Sequence, residues 1–448
     1  MGQQIERLAA FAATTDWDDV PFAVQHQTKL VILDTLGVIL AGAERPEVKQ
    51  LRSQLGTGTG ATVFAPGWPS HDPRTAALLN GIAGRSIELC EGLRLVSGQA
   101  AMQILPGVLA VGEATRRSGR DMLTALLVGY DLAARLAGGF TPRPLAHQNG
   151  QVSLVAAAGA GARLRGLDSA GISRAMRIAT TLVLTPSYTN AVAGATALNV
   201  AGGMSGFAAA LAPELAQARF EAEEDAIERA FGQLVGNNFK PDGLTNELGA
   251  SWHIMQNYFR LYACCNPIHP ALDCLGHVLA DLRPQPEEIA SIDIATYRFA
   301  SVMCNPSPPN FFASKYSLPH AAATMAVRGR IDHASLDDTA LHDPTIAALR
   351  HRVVVREDPT MSAVAPRLRP ARVTLVLTDG RRGTHACESH RGDFRDPFTE
   401  SELREKFREL AGVSLMKEGV RAVERAVDAF EGWDDVGELA TLCRRYGR

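Results

Sequence analysis

Residues 260–270 read Arg260-Leu261-Tyr262-Ala263-Cys264-Cys265-Asn266-Pro267-Ile268-His269-Pro270, and the character of the chain changes there. Upstream, apolar residues recur at helical spacing in one segment after another: 25–43, 74–87, 105–117, 152–164, 169–181, 197–216 and 221–231. Asp121 is placed to cap a further helix running to residue 137. The 152–164 segment is almost entirely Ala, Gly and apolar residues, which predicts burial on every side. Downstream, 292–297 alternates in the β manner and 352–355 is a β-branched run. Residues 371–377, Asp379-Gly380 and 383–387 read as a hairpin with a D-G turn. Helices are predicted between these strands at 270–281, 317–327 and 344–349. Beyond residue 397 the pattern is helical and charged again, with Thr399 and Ser401 as cap candidates.

These changes predict two domains. Residues 1–265 and 397–448 would form a large all-α helical-bundle domain, and 266–396 a smaller inserted α+β domain. The C-terminal segment is assigned to the first domain because so few helices cannot bury a core alone. A chain of 448 residues is long enough for two cores. A net charge of −3 gives no electrostatic case for nucleic acid or an anionic membrane. No apolar run is long enough to span a bilayer, and the first residues lack an apolar signal core, so a cytoplasmic protein is expected. Cys90, Cys264, Cys265, Cys274, Cys304, Cys387 and Cys443 are odd in number and scattered, as expected of reduced thiols. Their spacing with histidine matches no zinc site, and no metal is expected.

The glycines of 159–166 and of 202–206 (Gly-Gly-Met-Ser-Gly) follow no strand and lack the spacing of a phosphate cradle. They are read instead as places where helices approach closely. The chemistry-bearing residues collect near predicted helix ends and around 260–270. Arg85, Glu88, Glu91 and Arg94 follow one helix, and His147 precedes the Ala-rich one. Arg260, Tyr262 and His269 flank the cysteine pair, while Lys315 and His320 bracket the start of another helix. Arginine and lysine at such positions can clamp carboxylates. Imidazoles can move protons near neutral pH. Nearby cations lower the barrier to removing a proton α to a carboxylate.

Seven stretches, in order along nearly the whole chain, resemble the MmgE/PrpD family, which includes 2-methylcitrate dehydratase, cis-aconitate decarboxylase and iminodisuccinate epimerase. They are Leu33-Asp34-Thr35-Leu36-Gly37 with Ala41-Gly42; Ala77-Leu78-Leu79-Asn80-Gly81; Ser118-Gly119 through Gly129-Tyr130-Asp131 to Arg135; His147-x-x-Gly150 with Gly166-Leu167-Asp168; Arg260-x-Tyr262-Ala263-Cys264-Cys265-x-x-x-His269; Lys315-Tyr316-Ser317-Leu318; and Asp379-Gly380 with Asp396-Pro397-Phe398-Thr399 and Lys406-Phe407. The resemblance implies a helical domain interrupted by an α+β insertion, an active site between the two, a homodimer, and no metal or organic cofactor.

The chain departs from the family pattern where the chemistry is carried. Where family lyases have H-x-x-D-F-D-D-T, this chain has Arg85 through Gly92, keeping acids only at Glu88 and Glu91. A proton-transferring histidine of the family falls on Gln99, and a lysine near Ala195. His320 falls where decarboxylases of the family carry tyrosine. An epimerase needs a base and an acid on opposite faces of one carbon but no acid for a leaving group, so it tolerates Gln99 best. On this reading the protein is an epimerase or isomerase of a small di- or tricarboxylate. His269, His147, Lys315 and Glu88 would be catalytic, and Arg260, Tyr262, Arg85, Gln99, His320 and Glu91 would bind substrate. A dehydratase or decarboxylase is the alternative, with Glu88 as proton donor if burial raises its pKa. A divergent anion-binding dimer without turnover is the third reading.

Overall fold

Helix α2 (Phe22–Gly42) has apolar residues on every face and is buried along most of its length. The computed structural model describes residues 2–94 and 98–448. The helical part also contains α1 (Gly2–Thr14), α3 (Pro46–Leu55), α4 (Pro73–Ser86), α5 (Ala100–Ala114), α6 (Gly119–Gly138), α7 (Val152–Leu164), α8 (Ser169–Ala179) and α9 (Val200–Gln217); α2 packs on α4, and α9 packs on α4, α5, α7 and α8. Asp72 caps α4, with Pro73 at its first turn. The N-cap of α6 is Ser118 rather than Asp121; Asp121 lies three residues in and completes a capping box. The helix predicted over 221–231 shrinks to Ala226–Arg229 and a π-turn, Ala230–Leu234. That stretch is charged and largely exposed, so little burial holds it helical.

The cores follow the change at 260–270. One unites the N-terminal helices with Leu403, Phe407, Val420, Val427, Phe430 and Leu439 from α13 (Glu400–Ala411), α14 (Lys417–Asp428), the short turn after α14 and α15 (Gly437–Tyr446). Thr399 caps α13 through a capping box with Glu402, whereas Ser401 lies inside the helix. The other core surrounds a four-stranded sheet, β1 (Ile289–Thr296), β2 (Val353–Glu357), β3 (Ala371–Leu377) and β4 (Arg382–Cys387). Its strand order is β4-β3-β1-β2. The D-G hairpin pairs β3 with β4 antiparallel, while β1 and β2 are parallel. Parallel pairing requires a long crossover, and this one carries α11 (Leu318–Arg328) and α12 (Pro344–Arg350). Helix α10 (His269–Leu282) packs on β3 and β4. Val38, Ala41, Ile87, Leu89 and Met102 from the helical part extend into this second core. The fold is therefore mainly helical, with two cores in contact. Among the described residues no helix is long and apolar enough to cross a membrane.

The glycines read as close-approach positions do bring helices together. A Cβ on Gly161 of α7 would lie 1.9 Å from the Ala209 carbonyl oxygen of α9, and one on Gly42 at the end of α2 would lie 1.9 Å from that of Ala83 in α4. Helix propensity alone favours Ala over Gly by about 1 kcal/mol in a helix interior. The clash here is with backbone, which cannot rotate away. Gly161→Ala is therefore expected to destabilise the protein by about 2 kcal/mol or more, read by urea unfolding. A neutral or stabilising result would mean that α7 and α9 separate freely.

Candidate active site

The end of α4 places the first charged groups. Glu88 follows it with φ +51°, a left-handed conformation that costs a non-glycine residue about 1 kcal/mol and needs outside support. The support is ionic. Oε2 of Glu88 accepts hydrogen bonds from Arg85 and from the Tyr316 hydroxyl, the latter at 2.8 Å. Oε1 accepts from Arg260 at 2.5 Å, and Arg260 also donates to the Glu88 carbonyl at 3.1 Å. Arg85 further donates to the Tyr316 oxygen at 2.7 Å. All four side chains are buried. Burial pushes the Glu88 carboxyl up, but the two arginines outweigh it and hold its pKa at about 2. Glu88 is thus an ionised counter-ion, not the proton donor that burial alone would have made it. Arg260, expected to clamp a substrate carboxylate, already holds this internal one.

Glu91 points elsewhere. It accepts from the Tyr130 hydroxyl at 2.8 Å and from the Ala101 amide at 3.0 Å, inside the helical part. Burial lifts its pKa to about 7. Its own amide donates to Asp34 on α2, and Asp34 pairs with Lys406 of α13 at 2.5 Å. Lys406 also donates to the Leu89 carbonyl at 2.7 Å, so both ends of the chain secure the 88–91 turn.

Beside this cluster a cavity of about 630 Å³ opens between residues 142–148 and 188 of the helical part and residues 297–302 and 362–369 next to the sheet. His147, Tyr188, Tyr297, Arg298, Phe299 and Arg369 line it, with prolines and alanines between them. The His147 ring stacks on Tyr188 with centroids 5.6 Å apart. Its Nδ1 lies 3.1 Å from the Asn149 amide nitrogen, which donates to it. A neutral imidazole accepting at Nδ1 carries its proton on Nε2. Burial, reinforced by Arg85, lowers its pKa to about 3 and keeps it neutral. His147 is therefore a hydrogen-bond donor to whatever occupies the cavity. The Tyr188 hydroxyl is buried beside the Cys265 thiol and has no closer hydrogen-bond partner among the described residues.

Arg369 is the buried cation of this cavity; Arg143 and Arg298, which also line it, are exposed. Arg369 donates to the Asn266 side-chain oxygen and, at 3.3 Å, to the Arg94 carbonyl, both of them neutral acceptors. Arg94, by contrast, pairs with Asp393 at 2.6 Å. A buried guanidinium with no carboxylate partner among the described residues is an anion site in waiting.

A third polar feature lies where α5 and α7 begin. Gln103 donates to the Gln99 carbonyl at 2.8 Å and accepts from the Gly150 amide at 2.8 Å and the Ser205 hydroxyl at 3.1 Å. Gln99, Asn149 and Gln151 around it are buried and keep side-chain amide atoms without partners. Gln99 thus belongs to an uncharged amide cluster.

The other expected residues lie apart from the cavity lining. His269 opens α10 and donates from Nε2 to the Cys264 carbonyl at 3.0 Å, packed edge-on against Tyr262 and His390. Burial lowers its pKa well below the ordinary value. The Tyr262 hydroxyl donates to Asp273 at 2.7 Å. Lys315 is buried, donating to the Leu336 carbonyl at 2.5 Å and lying 4.1 Å from the centre of the Phe311 ring. Burial brings its pKa down to about 7. His320 is buried beside Arg350, and burial lowers its pKa to about 3. Of the ten expected site residues, only His147 lines the cavity, while Arg85, Glu88 and Arg260 form the cluster behind it. Tyr188, Tyr297 and Arg369 were not anticipated. No local pattern marks them, because loops far apart in sequence bring them together.

Two family models match the chain: the MmgE/PrpD N-terminal domain over residues 6–241 and the MmgE/PrpD C-terminal domain over residues 262–431. The chain is 22% identical to cis-aconitate decarboxylase of Aspergillus terreus, over 96% of this chain and 94% of that protein. It is 24% identical to human cis-aconitate decarboxylase, over 94% of this chain and 90% of the relative. The mouse cis-aconitate decarboxylase is 23% identical over 94% and 89%.

The buried Glu91 carboxyl makes a testable contribution to stability. Its folded pKa of about 7 exceeds the ordinary 4.5, so the folded state binds the proton more tightly. Its stabilisation is full below about pH 4.5 and is lost as the pH rises through 7. The loss amounts to about 3 kcal/mol at roughly 1.4 kcal/mol per pKa unit. Urea unfolding of Glu91→Gln from pH 4.5 to 8 is expected to show a shallower fall than the parent protein. An identical slope would mean that Glu91 ionises freely in the fold.

Proposed function

Because this chain belongs to the MmgE/PrpD family, we propose that it is a lyase that decarboxylates a small unsaturated di- or tricarboxylate without a metal or organic cofactor. It is an enzyme, and its full-length curated relatives are carbon–carbon lyases. The observation that carries the reading is the pair His147 and Arg369 across one largely apolar cavity. Arg369 holds a carboxylate that stays on the product. His147 donates its Nε2 proton as a hydrogen bond to a second carboxylate that receives negative charge during reaction. Prolines, Phe299 and Val302 leave the departing carboxylate poorly solvated, which favours its conversion to neutral CO₂.

For a β,γ-unsaturated carboxylate the step balances as follows. The bond from the α-carbon to the carboxyl breaks and releases CO₂. Its electron pair forms a new double bond between the α- and β-carbons, and the γ-carbon takes up one proton. The Tyr188 hydroxyl, beside His147, is the acid assigned to that proton.

Epimerisation, favoured on the retained titratable groups, loses its support once they are placed. It needs a base on one face of the carbon and an acid on the other. Among the described lining residues His147 is the one imidazole, and its Nδ1 lone pair is already engaged. His269 and Lys315, also expected to be catalytic, are turned toward the Cys264 and Leu336 carbonyls.

We infer further that residues 1–265 and 397–448 act as one domain and 266–396 as an insertion that supplies the Tyr297 and Arg369 wall. The exposed apolar side chains Leu145, Phe299 and Val302 at the cavity mouth support cover by a second copy, the homodimer that the resemblance implies. Reduced thiols support a cytoplasmic setting.

The test is proton NMR in D₂O with cis-aconitate and a panel of related di- and tricarboxylates. A decarboxylated olefin carrying one solvent deuteron is expected. Exchange of an α-proton without a new product would replace this reading with epimerisation. Arg369→Gln is expected to lower kcat/KM by about 10³-fold, the loss of a buried charged pair. His147→Ala is expected to lower kcat with little change in KM, because its hydrogen bond strengthens as charge develops.

A further inference from the structure

We propose that Cys274 and Cys387 form a redox-active thiol pair that a hydroperoxide closes to a reversible disulfide, stapling α10 to the last residue of β4. The two Sγ atoms are 3.4 Å apart although 113 residues separate them in sequence. Cys274 is buried on the face of α10 that packs on the sheet, where its thiol also lies 3.6 Å from the Ala371 carbonyl. Cys387 pairs in register with Ala371 and ends the edge strand β4. Its side chain is half-buried, and its thiol lies 3.4 Å from the Pro270 carbonyl. Ordinary disulfide geometry needs the sulfurs at about 2.05 Å, a small closing movement for two side chains already facing each other. No other two of the free cysteines are placed this way among the described residues; Cys264 and Cys265 are sequence neighbours, and Cys304 is exposed.

The pair is asymmetric in a way that assigns roles. A hydrogen bond from the Cys274 thiol lowers the pKa of Cys387, and the same bond with burial raises that of Cys274. Cys387 is also the more accessible of the two. Cys387 therefore supplies the thiolate that attacks the hydroperoxide. One oxygen transfers to sulfur, giving a sulfenic acid, and the O–O bond breaks to release an alcohol or water. The Cys274 sulfur then attacks the sulfenic sulfur. The S–S bond forms, and the hydroxyl leaves with the Cys274 proton as water. The peroxide is reduced by two electrons, which the two thiols lose. A thiol reductant reverses the change by exchange.

The bond would tighten the junction that the 260–270 segment forms. Helix α10 starts at His269, and the chain leaving Cys387 runs within a few residues to His390, Gly392 and Asp393. These reach back to Asn266, to the Phe259 amide and to Arg94 respectively. Oxidation thus ties together the two strands of chain that join the sheet to the helices, at the wall that carries Arg369.

The experiment uses the full chain with Cys304→Ser, which removes the exposed thiol. The protein is treated with hydrogen peroxide, unreacted thiols are alkylated, and the digest is mapped by mass spectrometry alongside thermal unfolding. The expected result is one cross-linked peptide joining Cys274 and Cys387, two fewer alkylated thiols, and a rise in Tm of several degrees that dithiothreitol reverses. Cys387→Ser should lose both the cross-link and the Tm rise. Cys387 recovered as sulfinic acid with Cys274 still alkylated would overturn the proposal. So would a Tm rise that survives Cys387→Ser, or no change at either cysteine.

Discussion

The buried ionic cluster of Arg85, Glu88, Arg260 and Tyr316 is the interaction on which the rest depends. Arg85 and Glu88 come from the helical part, Arg260 from the junction, and Tyr316 from the turn before α11 of the sheet part. One carboxylate thus ties three separate stretches of chain together. Its two arginines are buried, so removing the carboxylate would leave both charges uncompensated, a loss of several kcal/mol. An apolar replacement of the whole cluster would cost less but would not specify one orientation of the two parts. That orientation matters because the cavity has one wall in each part.

The cluster also divides the polar residues into two groups. Those that satisfy one another, such as Glu88 with Arg260, Arg94 with Asp393 and Asp34 with Lys406, build the frame. Others lack an ionic partner or a full set of hydrogen bonds: Arg369, on the cavity wall, meets only neutral acceptors, and amide atoms of Gln99, Asn149 and Gln151 are unbonded among the described residues. Desolvating an unpaired group costs about 1–3 kcal/mol or more, so a fold keeps such groups where a ligand repays the cost. Residue type alone does not separate the groups: Arg260 and Arg369 are both buried arginines, and only their partners tell them apart.

That distinction sets how much could be read from the chain. Helix and strand positions were legible because period and capping are local: α7 and β3 begin and end at the expected residues. The β1–β2 pairing was not legible as parallel, since register across a crossover is a tertiary fact. Motif order identified the family, because it samples the whole chain. The site was only partly legible. His147, Arg85, Glu88 and Arg260 were found as residues, but their orientations depend on neighbours supplied by distant segments. Tyr188 and Arg369 sit in loops without periodicity, and nothing near them in sequence announces the cavity they line.

Replacing titrating groups with amides has a chemical consequence. Where the family pattern has a histidine, this chain has Gln99, buried beside two further unsatisfied amides at the starts of α5 and α7. Helix N-termini carry partial positive charge, and amides add donors without adding a proton that can leave. Such donors do not change with pH, whereas an imidazole gains a second N–H and a positive charge when it is protonated. Proton transfer is then left to the cavity lining, where His147 is neutral and Tyr188 keeps its proton. Neither is a free base, and the tightly held Tyr188 proton is given up only to a centre as basic as the carbon that CO₂ leaves. Proton donation is the direction required when a carboxylate leaves, whereas racemising a carbon centre demands a base as well.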